Sequence, residues 1–277
     1  MRGDDAHPLL SLSNVVKSFG PVQALRNVNL DILAGTVTAL VGDNGAGKST
    51  LIKTISGIWQ PDEGVITWDG APVHVRSPRD AAALGIATMY QDLALCDNLD
   101  IVQNMFLGRE ELEHGLLDEN KMELTAKHTL TDLSVTTVRS IRQPVGSLSG
   151  GQRQAVAVAR AVMLDAKLVI MDEPTAALGV SQTAMVLDLI GQIASRGIAV
   201  LVITHNLNDV FAVADRLAVL YLGQVAASGP LSQFDAQRAV ELITTGASSK
   251  DGGGRGGPSM HGAGGVVSGY GASESKG

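Results

Sequence analysis

Apolar positions recur along this chain with two different periods, and the period changes near residue 93. Before that point, the runs Leu9–Phe19 and Ala24–Ile32 alternate apolar with polar residues, and a Gly20-Pro21 pair separates them. Alternation places the apolar side chains on one face of a strand, so these runs predict two half-buried strands joined by a turn. Residues Thr36–Val41 are mostly apolar, which predicts a strand buried on both faces.

Short elements continue up to residue 92. The pattern predicts strands over Val65–Trp68 and Val73–Val75, with the turn Asp69-Gly70 joining them in a hairpin. Ser77 followed by Pro78 is typical of a helix N-terminus. One more strand is predicted over Ile86–Tyr90.

A helical period dominates from residue 93 to about residue 165. Strand-like runs return at Lys167–Met171, Ala199–Thr204 and Arg216–Tyr221, and helices are predicted between them near Ser181–Ser195 and Asn208–Ala214. We therefore expect one α/β domain over residues 1–246. Its core comprises residues about 8–92 and 166–246, and residues about 93–165 form a helical insert. Residues 247–277 are rich in Gly and Ser, which predicts a disordered tail.

The buried strand that ends at residue 41 leads into a glycine-rich turn, Gly42-Asp-Asn-Gly-Ala-Gly-Lys-Ser49, and then into a helix predicted over Ser49–Gly57. This spacing is that of a phosphate-binding P-loop. Its glycines can adopt backbone angles forbidden to other residues, so that N–H groups turn towards phosphate oxygens. Lys48 can reach the β- and γ-phosphates, and the Ser49 hydroxyl can bind Mg²⁺. The residues predicted to bind nucleotide here are Gly42, Asn44, Gly45, Gly47, Lys48, Ser49 and Thr50.

Two neighbouring acids, Asp172 and Glu173, end the apolar strand that begins at residue 167. Because side chains alternate along a strand, the two acids are predicted to have different roles. Asp172 is expected among the Mg²⁺ ligands. Glu173 is expected to act as the general base for a water aligned with the γ-phosphate. With the P-loop, these acids predict a nucleotide hydrolase.

A second anion-binding helix start is predicted at Leu148-Ser-Gly-Gly-Gln152, before the helical run Arg153–Met163. Ser149 is a typical N-cap, and Gly150 and Gly151 would let an anion approach the backbone. This pentapeptide matches the signature of the ATP-binding cassette (ABC) ATPases, and the chain resembles that family from about residue 9 to residue 245.

The motifs of the family occur in the family's order. Besides the P-loop (Walker A), the signature and the two Walker B acids, Phe19 falls at the adenine-stacking position, Gln91 at the Q-loop glutamine, and His205 at the switch histidine. Taken alone, Phe19 is typical of core packing and His205 of a structural histidine. One position departs from the pattern, because Gly179 stands where the family commonly has an Asp that communicates between the two sites.

The resemblance implies a P-loop NTPase (RecA-like) α/β core with a small antiparallel β subdomain and an inserted helical subdomain. It implies a head-to-tail dimer with a second copy, in which each ATP and Mg²⁺ lie between one Walker A loop and the other subunit's signature. The residues implied there are Ser149, Gly150, Gly151 and Gln152. Gln91 and His205 would join Glu173 in catalysis, and Gln91 would also bind Mg²⁺.

Three segments, 90–95, 100–110 and 173–179, resemble the ATPases of bacterial monosaccharide importers. That branch implies ATP-driven solute uptake through an integral membrane permease, with a solute-binding protein as an indirect partner. The chain would then lie at the cytoplasmic face of the inner (plasma) membrane. A branched-chain amino acid or another small solute stays open, as does a soluble ABC ATPase of repair, translation or cluster assembly. A regulator that does not hydrolyse ATP is disfavoured by Glu173 and His205.

Composition narrows the choice of partners. The 277 residues carry a formal net charge of −7 and contain no run of Lys or Arg, which argues against nucleic acid as a partner. A single cysteine, Cys96, excludes an internal disulfide framework and favours a reducing compartment. Apolar runs stay short of the roughly 20 residues that span a bilayer, so membrane attachment is expected through the permease.

Overall fold

The computed structural model describes residues 7–90, 92–133, 135, 138–163 and 165–247, and the fold is given for these residues alone. Among their helices, none has the length and apolar character needed to cross a bilayer. Gln91 and nearly all of the predicted tail fall outside the described residues.

The elements follow the sequence prediction closely, most of them within two residues at each end. The strands are β1 (Pro8–Phe19), β2 (Val22–Leu33), β3 (Val37–Val41), β4 (Glu63–Trp68), β5 (Ala71–Val73), β6 (Ile86–Met89), β7 (Leu112–Glu113), β8 (Leu116–Leu117), β9 (Leu168–Asp172), β10 (Ala199–Ile203), β11 (Arg216–Tyr221) and β12 (Gln224–Pro230). The helices are α1 (Lys48–Ile55), α2 (Pro78–Ala83), α3 (Ile101–Phe106), α4 (Glu119–Asp132), α5 (Gly150–Met163), α6 (Val180–Ser195), α7 (Leu207–Val213) and α8 (Ala236–Thr245).

A small antiparallel sheet contains the alternating strands near the N-terminus, in the order β2, β1, β4, β5. Leu10 and Leu12 of β1 and Leu30 and Ile32 of β2 are buried. The alternation of the sequence therefore directs one face of this sheet into the core. This sheet is the predicted antiparallel β subdomain.

The hairpin of β4 and β5 has the predicted turn but not the predicted second strand. Asp69 and Gly70 both adopt positive φ, and Ala71 pairs directly with Trp68. A two-residue turn of this kind fixes the register, so β5 begins at once and ends at Val73. The prediction of a strand over Val73–Val75 is wrong because it followed apolar residues rather than the turn.

The larger sheet has the order β12, β11, β3, β10, β9, β6. Strands β11, β3, β10, β9 and β6 are parallel, and β12 is antiparallel to β11. Every residue of β3 and β10 is buried, as their continuous apolar runs predict. The sequence analysis missed β12, whose residues 226–229 are small and have low strand propensity, and it also missed α8.

The described residues between 93 and 163 fold mainly into α3, α4 and α5, which pack on one another. Met105, Leu130 and Val156 belong to their shared core, and α5 also packs on α6. The short hairpin of β7 and β8 was not predicted. Its leucines at 112, 116 and 117 are exposed, so no buried alternating face revealed it.

Candidate active site

Strands β3, β9 and β10 are parallel neighbours, so their carboxyl ends meet at one edge of the sheet. The P-loop turn follows β3, Asp172 and Glu173 lie at the end of β9, and His205 follows β10. A cavity of about 620 Å³ opens there, within the usual size range of small-molecule sites. Its lining residues are Val22, Gln23, Ala24, Arg26, Asn44, Gly45, Gly47, Lys48, Ser49, Thr50, Asp172, Glu173, Ala176, His205, Leu222 and Gly223.

The P-loop turn holds its lysine by backbone contacts. Lys48 Nζ donates hydrogen bonds to the carbonyl oxygens of Gly42, at 2.7 Å, and Asp43, at 3.0 Å. Helix α1 starts here with no side-chain cap and no acid in its first turn, and its first residues line the cavity. The N–H groups and the positive dipole end of α1 are therefore arranged for an anion.

The glycines of this turn serve two purposes. Gly45 and Gly47 have φ of 80° and 106°, as predicted, and a Cβ at Gly47 would lie 2.7 Å from the carbonyl oxygen of Ala24. Gly42 has no positive φ, so the prediction of a special backbone angle is wrong there. A Cβ at Gly42 would instead collide with the backbone carbonyl of Leu220, so close packing requires this glycine.

Asp172 is in an environment that favours a cation. Partial burial raises the pKa of its carboxyl, and the neighbouring charge of Glu173 raises it further, while Lys48 and Lys53 act in the opposite direction. The described residues contain no cluster of three or more His, Cys, Asp or Glu that could enclose a metal. Mg²⁺ at phosphate sites needs only one or two protein ligands, because phosphate oxygens and water complete its shell. Asp172 and Ser49, which line the same cavity, fit that requirement.

Glu173 and His205 contact each other directly, which the sequence did not predict. Glu173 Oε1 lies 2.9 Å from His205 Nδ1, and the histidine side chain is 75% exposed against 20% for the glutamate. The backbone N–H of Glu173 donates to the carbonyl of Ile203 at 2.8 Å. The ends of β9 and β10 thus bring together the two residues predicted to act on the γ-phosphate.

Phe19 is not among the residues that line the cavity. Its ring packs edge-to-face on Trp59, with centroids 4.6 Å apart, and is 40% exposed. Val22 and Arg26 of β2 and Leu222 and Gly223 of the β11–β12 turn form part of the wall, and sequence reasoning missed them. Val22 and Leu222 are apolar residues with large exposed fractions. Tertiary structure, rather than a local apolar pattern, determines that exposure, so no local pattern identifies these residues.

The signature residues Ser149–Gln152 also lie outside this cavity, at the start of α5. The N–H of Ser149 donates to Gln152 Oε1 at 2.9 Å, and the N–H of Gln152 donates to Ser149 Oγ at 3.4 Å. This reciprocal arrangement is that of a capping box, in agreement with the predicted N-cap.

The two signature glycines pack against α6 and against Leu178, which lies two residues before it. A Cβ at Gly150 would lie 2.7 Å from Leu178 Cδ2, and one at Gly151 would lie 2.6 Å from Met185 Cε. Both contacts are with the movable ends of side chains, so close packing favours these glycines without requiring them, and the sequence did not reveal these contacts.

Comparisons with known proteins agree with this geometry. A family model described as ABC transporter matches residues 25–176. The chain is 48% identical to the fructose import ATP-binding protein FrcA of Rhizobium meliloti, over 78% of this chain and 86% of that protein. It is 46% identical to the xylose/arabinose import ATP-binding protein XylG of Sulfolobus acidocaldarius, over 86% of this chain and 94% of that protein.

Solved structures resemble the fold as a whole. One is the dimeric structure of a post-hydrolysis state of an ATP-binding cassette bound to ADP and Pi. It matches with a TM-score of 0.66 and 26% identity, and the match covers 80% of this chain and 98% of that one. The predicted fold class is confirmed. The family match and the two relatives show that this chain belongs to the ABC transporter family, as one of its ATPase subunits.

Proposed function

We propose that this chain hydrolyses ATP to drive the uptake of a monosaccharide through a partner permease. The observation that carries this proposal is the cavity of about 620 Å³ that gathers Lys48, Asp172, Glu173 and His205. The names of the two relatives, a fructose and a xylose/arabinose import ATP-binding protein, favour a monosaccharide over an amino acid.

ATP would lie with its phosphates on the P-loop turn. Lys48 would give up its bonds to the turn carbonyls for the β- and γ-phosphates, and N–H groups from Asn44 to Thr50 would bind the remaining oxygens. Adenine would stack on the part of the Phe19 ring that the contact with Trp59 leaves exposed.

Mg²⁺ would be held by Ser49 and Asp172, which line the same cavity. Gln91 is proposed as a further ligand from the family resemblance alone, since it lies outside the described residues. When bound, Mg²⁺ supplies positive charge that stabilises the negative charge developing on the phosphate oxygens.

Glu173 would accept the proton of the attacking water, and His205 would contact the γ-phosphate. The 2.9 Å separation of their side chains would let both act at one point of the cavity wall. A general base must lie within hydrogen-bond reach of the proton it removes, and Glu173 lines the cavity in which the γ-phosphate would lie.

A second copy of the chain would complete the site. Ser149, Gly150, Gly151 and Gln152 lie at the start of α5 and are not among the residues that line the cavity containing Lys48, so a second copy would bring them to its ligand. In a head-to-tail dimer, the Ser149 hydroxyl and nearby N–H groups would contact the γ-phosphate bound by the other subunit. Hydrolysis would remove this bridge and open the dimer.

The permease would dock beside residue 91. A groove of about 370 Å³ lies between α2, β6 and α5, and residues 90 and 92 belong to its wall together with Arg109 and Arg160. Docking there would place the chain peripherally at the cytoplasmic face of the plasma membrane. The solute-binding protein would act on the other side of the membrane, and no nucleic acid is involved.

We propose that the core of residues about 8–92 and 166–246 binds ATP, and that the helical insert of about 93–165 couples it to the permease.

The experiment is to reconstitute the chain with its native permease and solute-binding protein in liposomes and to measure ATPase activity with added solutes. We expect fructose, xylose, arabinose or another monosaccharide to stimulate hydrolysis, and leucine to have no effect. Glu173→Gln in the same liposomes is the control for contaminating ATPase. Stimulation by leucine alone would contradict the monosaccharide, and hydrolysis that no permease alters would favour a soluble ATPase.

A further inference from the structure

A second side-chain contact joins the two segments that carry Glu173 and His205. Thr175 Oγ1 donates a hydrogen bond to Asp209 Oδ2 at 2.6 Å. Thr175 follows Glu173 by two residues, and Asp209 follows His205 by four. Two side-chain contacts therefore join the two segments. One lies at the cavity, between Glu173 and His205, and the other is made by the buried carboxylate of Asp209.

The segment after β9 needs such an anchor, because its backbone is strained. Glu173 and Ala177, on either side of Thr175, have φ of 52° and 60°. Residues other than glycine adopt this left-handed region at an energetic cost, and the conformation persists only where the surroundings fix it. The bond from Thr175 to Asp209 ties the middle of this segment to α7.

Helix capping does not explain the position of Asp209. An acid in the first turn of α7 could cap that helix, but other groups already do so. The N–H of Asn206 donates to Thr204 Oγ1, and Asn206 Oδ1 accepts from the N–H of Asn208, each at 3.0 Å. A buried carboxylate is costly unless it is hydrogen-bonded, and the carboxylate of Asp209 accepts its hydrogen bond from Thr175.

We infer that Thr175 and Asp209 are positioning residues. Their hydrogen bond ties the strained segment to α7 and so holds the Glu173 carboxylate in place at the cavity. The inference rests on the proposed role of Glu173 as general base. Neither residue lines the cavity, so their effect on hydrolysis is exerted through Glu173 and His205.

The test compares kcat and KM for ATP in Thr175→Val and Thr175→Ser. Valine has the shape of threonine without the hydroxyl, so it breaks the hydrogen bond to Asp209, whereas serine retains it. We expect kcat of Thr175→Val to fall at least about tenfold, since misplacing a catalytic group by about 1 Å can cost a hundredfold. KM should change little, because the phosphate-binding residues are untouched. Thr175→Ser should restore kcat.

Thr129→Val is the matched control. Thr129 is also half-buried and donates through Oγ1, to the carbonyl of Thr125 in α4 at 2.9 Å. This variant should lose a comparable hydrogen bond without a change in kcat. Equal kcat values for Thr175→Val and Thr129→Val, with both proteins folded, would overturn the inference.

Two further variants separate the possible failures. If Thr175→Val does not fold, Asp209→Ala replaces it: the acceptor of the Thr175 hydroxyl is removed, so a fall in kcat is expected, and wild-type kcat would overturn the inference. If Glu173→Gln hydrolyses ATP at the wild-type rate, the proposed role of Glu173 as general base, on which the inference rests, has failed. Loss of activity in Glu173→Gln with a normal Thr175→Val would contradict the positioning role alone.

Discussion

The P-loop turn and the signature segment are both glycine-rich helix starts, but they differ in what lies opposite them. Helix α1 begins without a side-chain cap and borders a cavity that also contains Asp172, Glu173 and His205. Helix α5 begins with a capping box formed by Ser149 and Gln152, outside that cavity. The glycine-rich helix start thus forms part of a cavity wall in α1, whereas in α5 it lies at the surface outside that cavity. Tertiary structure, rather than the motif, decides which helix start has a complete site in a single chain.

Their glycines differ in the same way. Gly47 is next to the backbone carbonyl of Ala24, which cannot move away, whereas Gly151 is next to the flexible end of Met185. The P-loop turn is therefore fixed by main-chain geometry, and the signature segment is fixed by side-chain packing against α6. Substitutions in the cavity and at the two helix starts should therefore differ in the size of their effects.

The largest effect is expected for Glu173→Gln. Loss of a positioned general base typically lowers the rate about 10²–10⁴-fold, while the P-loop should still bind ATP. Single-turnover hydrolysis and equilibrium ATP binding measure the two effects, and size-exclusion chromatography with ATP should show a trapped dimer. Glu113→Gln, in the exposed hairpin, is the control. Hydrolysis close to the wild-type rate in Glu173→Gln would remove Glu173 from the mechanism.

Lys48→Ala should weaken ATP binding and abolish hydrolysis. A hydrogen bond to a charged group contributes about 1.5–3 kcal/mol, so the Kd for ATP should rise roughly 10- to 150-fold by calorimetry. The unfolding midpoint should stay unchanged, because Lys48 Nζ donates its hydrogen bonds to carbonyls of its own turn. Lys121→Ala, at an exposed ion pair with Glu111, is the control. An unaltered Kd in Lys48→Ala would contradict the phosphate role.

Gly47→Ala and Gly151→Ala should differ in stability. We expect Gly47→Ala to lower the free energy of unfolding by about 1–3 kcal/mol, because the new Cβ meets a carbonyl at a positive φ. Gly151→Ala should stay within about 1 kcal/mol of wild type, since the better helix propensity of Ala offsets a small movement of Met185. Urea unfolding measures both changes. A larger loss of unfolding free energy for Gly151→Ala than for Gly47→Ala would contradict this difference between the two glycines.

The smallest effect is expected for Gly179→Asp. Gly179 is the N-cap residue of α6, has φ of −73° and ψ of 163°, and makes no side-chain cap. A Cβ there meets no atom within 4 Å, so Asp can cap the helix and should raise the free energy of unfolding by about 0.3–1 kcal/mol. Gly179→Ala, which fits but cannot cap, should be slightly less stable than wild type in the same melts. Destabilisation by Asp would show that the helix start is closed to side chains.

Local patterns predicted the parts of the molecule that depend on neighbouring residues. Apolar runs located β3 and β10, and the P-loop spacing located the glycine-rich turn at the start of α1. Local patterns could not show which strand ends meet. The contacts between Glu173 and His205 and between Thr175 and Asp209 were therefore found only in the structure. Strand β12 was missed because its small residues lack strand propensity.

If the signature of one copy completes the site of another, mixing two inactive variants should restore hydrolysis. Ser149→Arg would place a bulky side chain at the proposed γ-phosphate contact, and Lys48→Ala would disable the P-loop. We expect Ser149→Arg to bind ATP normally but neither to dimerise with ATP nor to hydrolyse it.

In a mixture, one of the two sites of each mixed dimer pairs an intact P-loop with an intact signature. We expect the mixture to show ATPase activity that neither variant has alone, and this activity is measured as a function of total protein concentration. ATP-dependent dimerisation and wild-type hydrolysis by Ser149→Arg alone would contradict the claim.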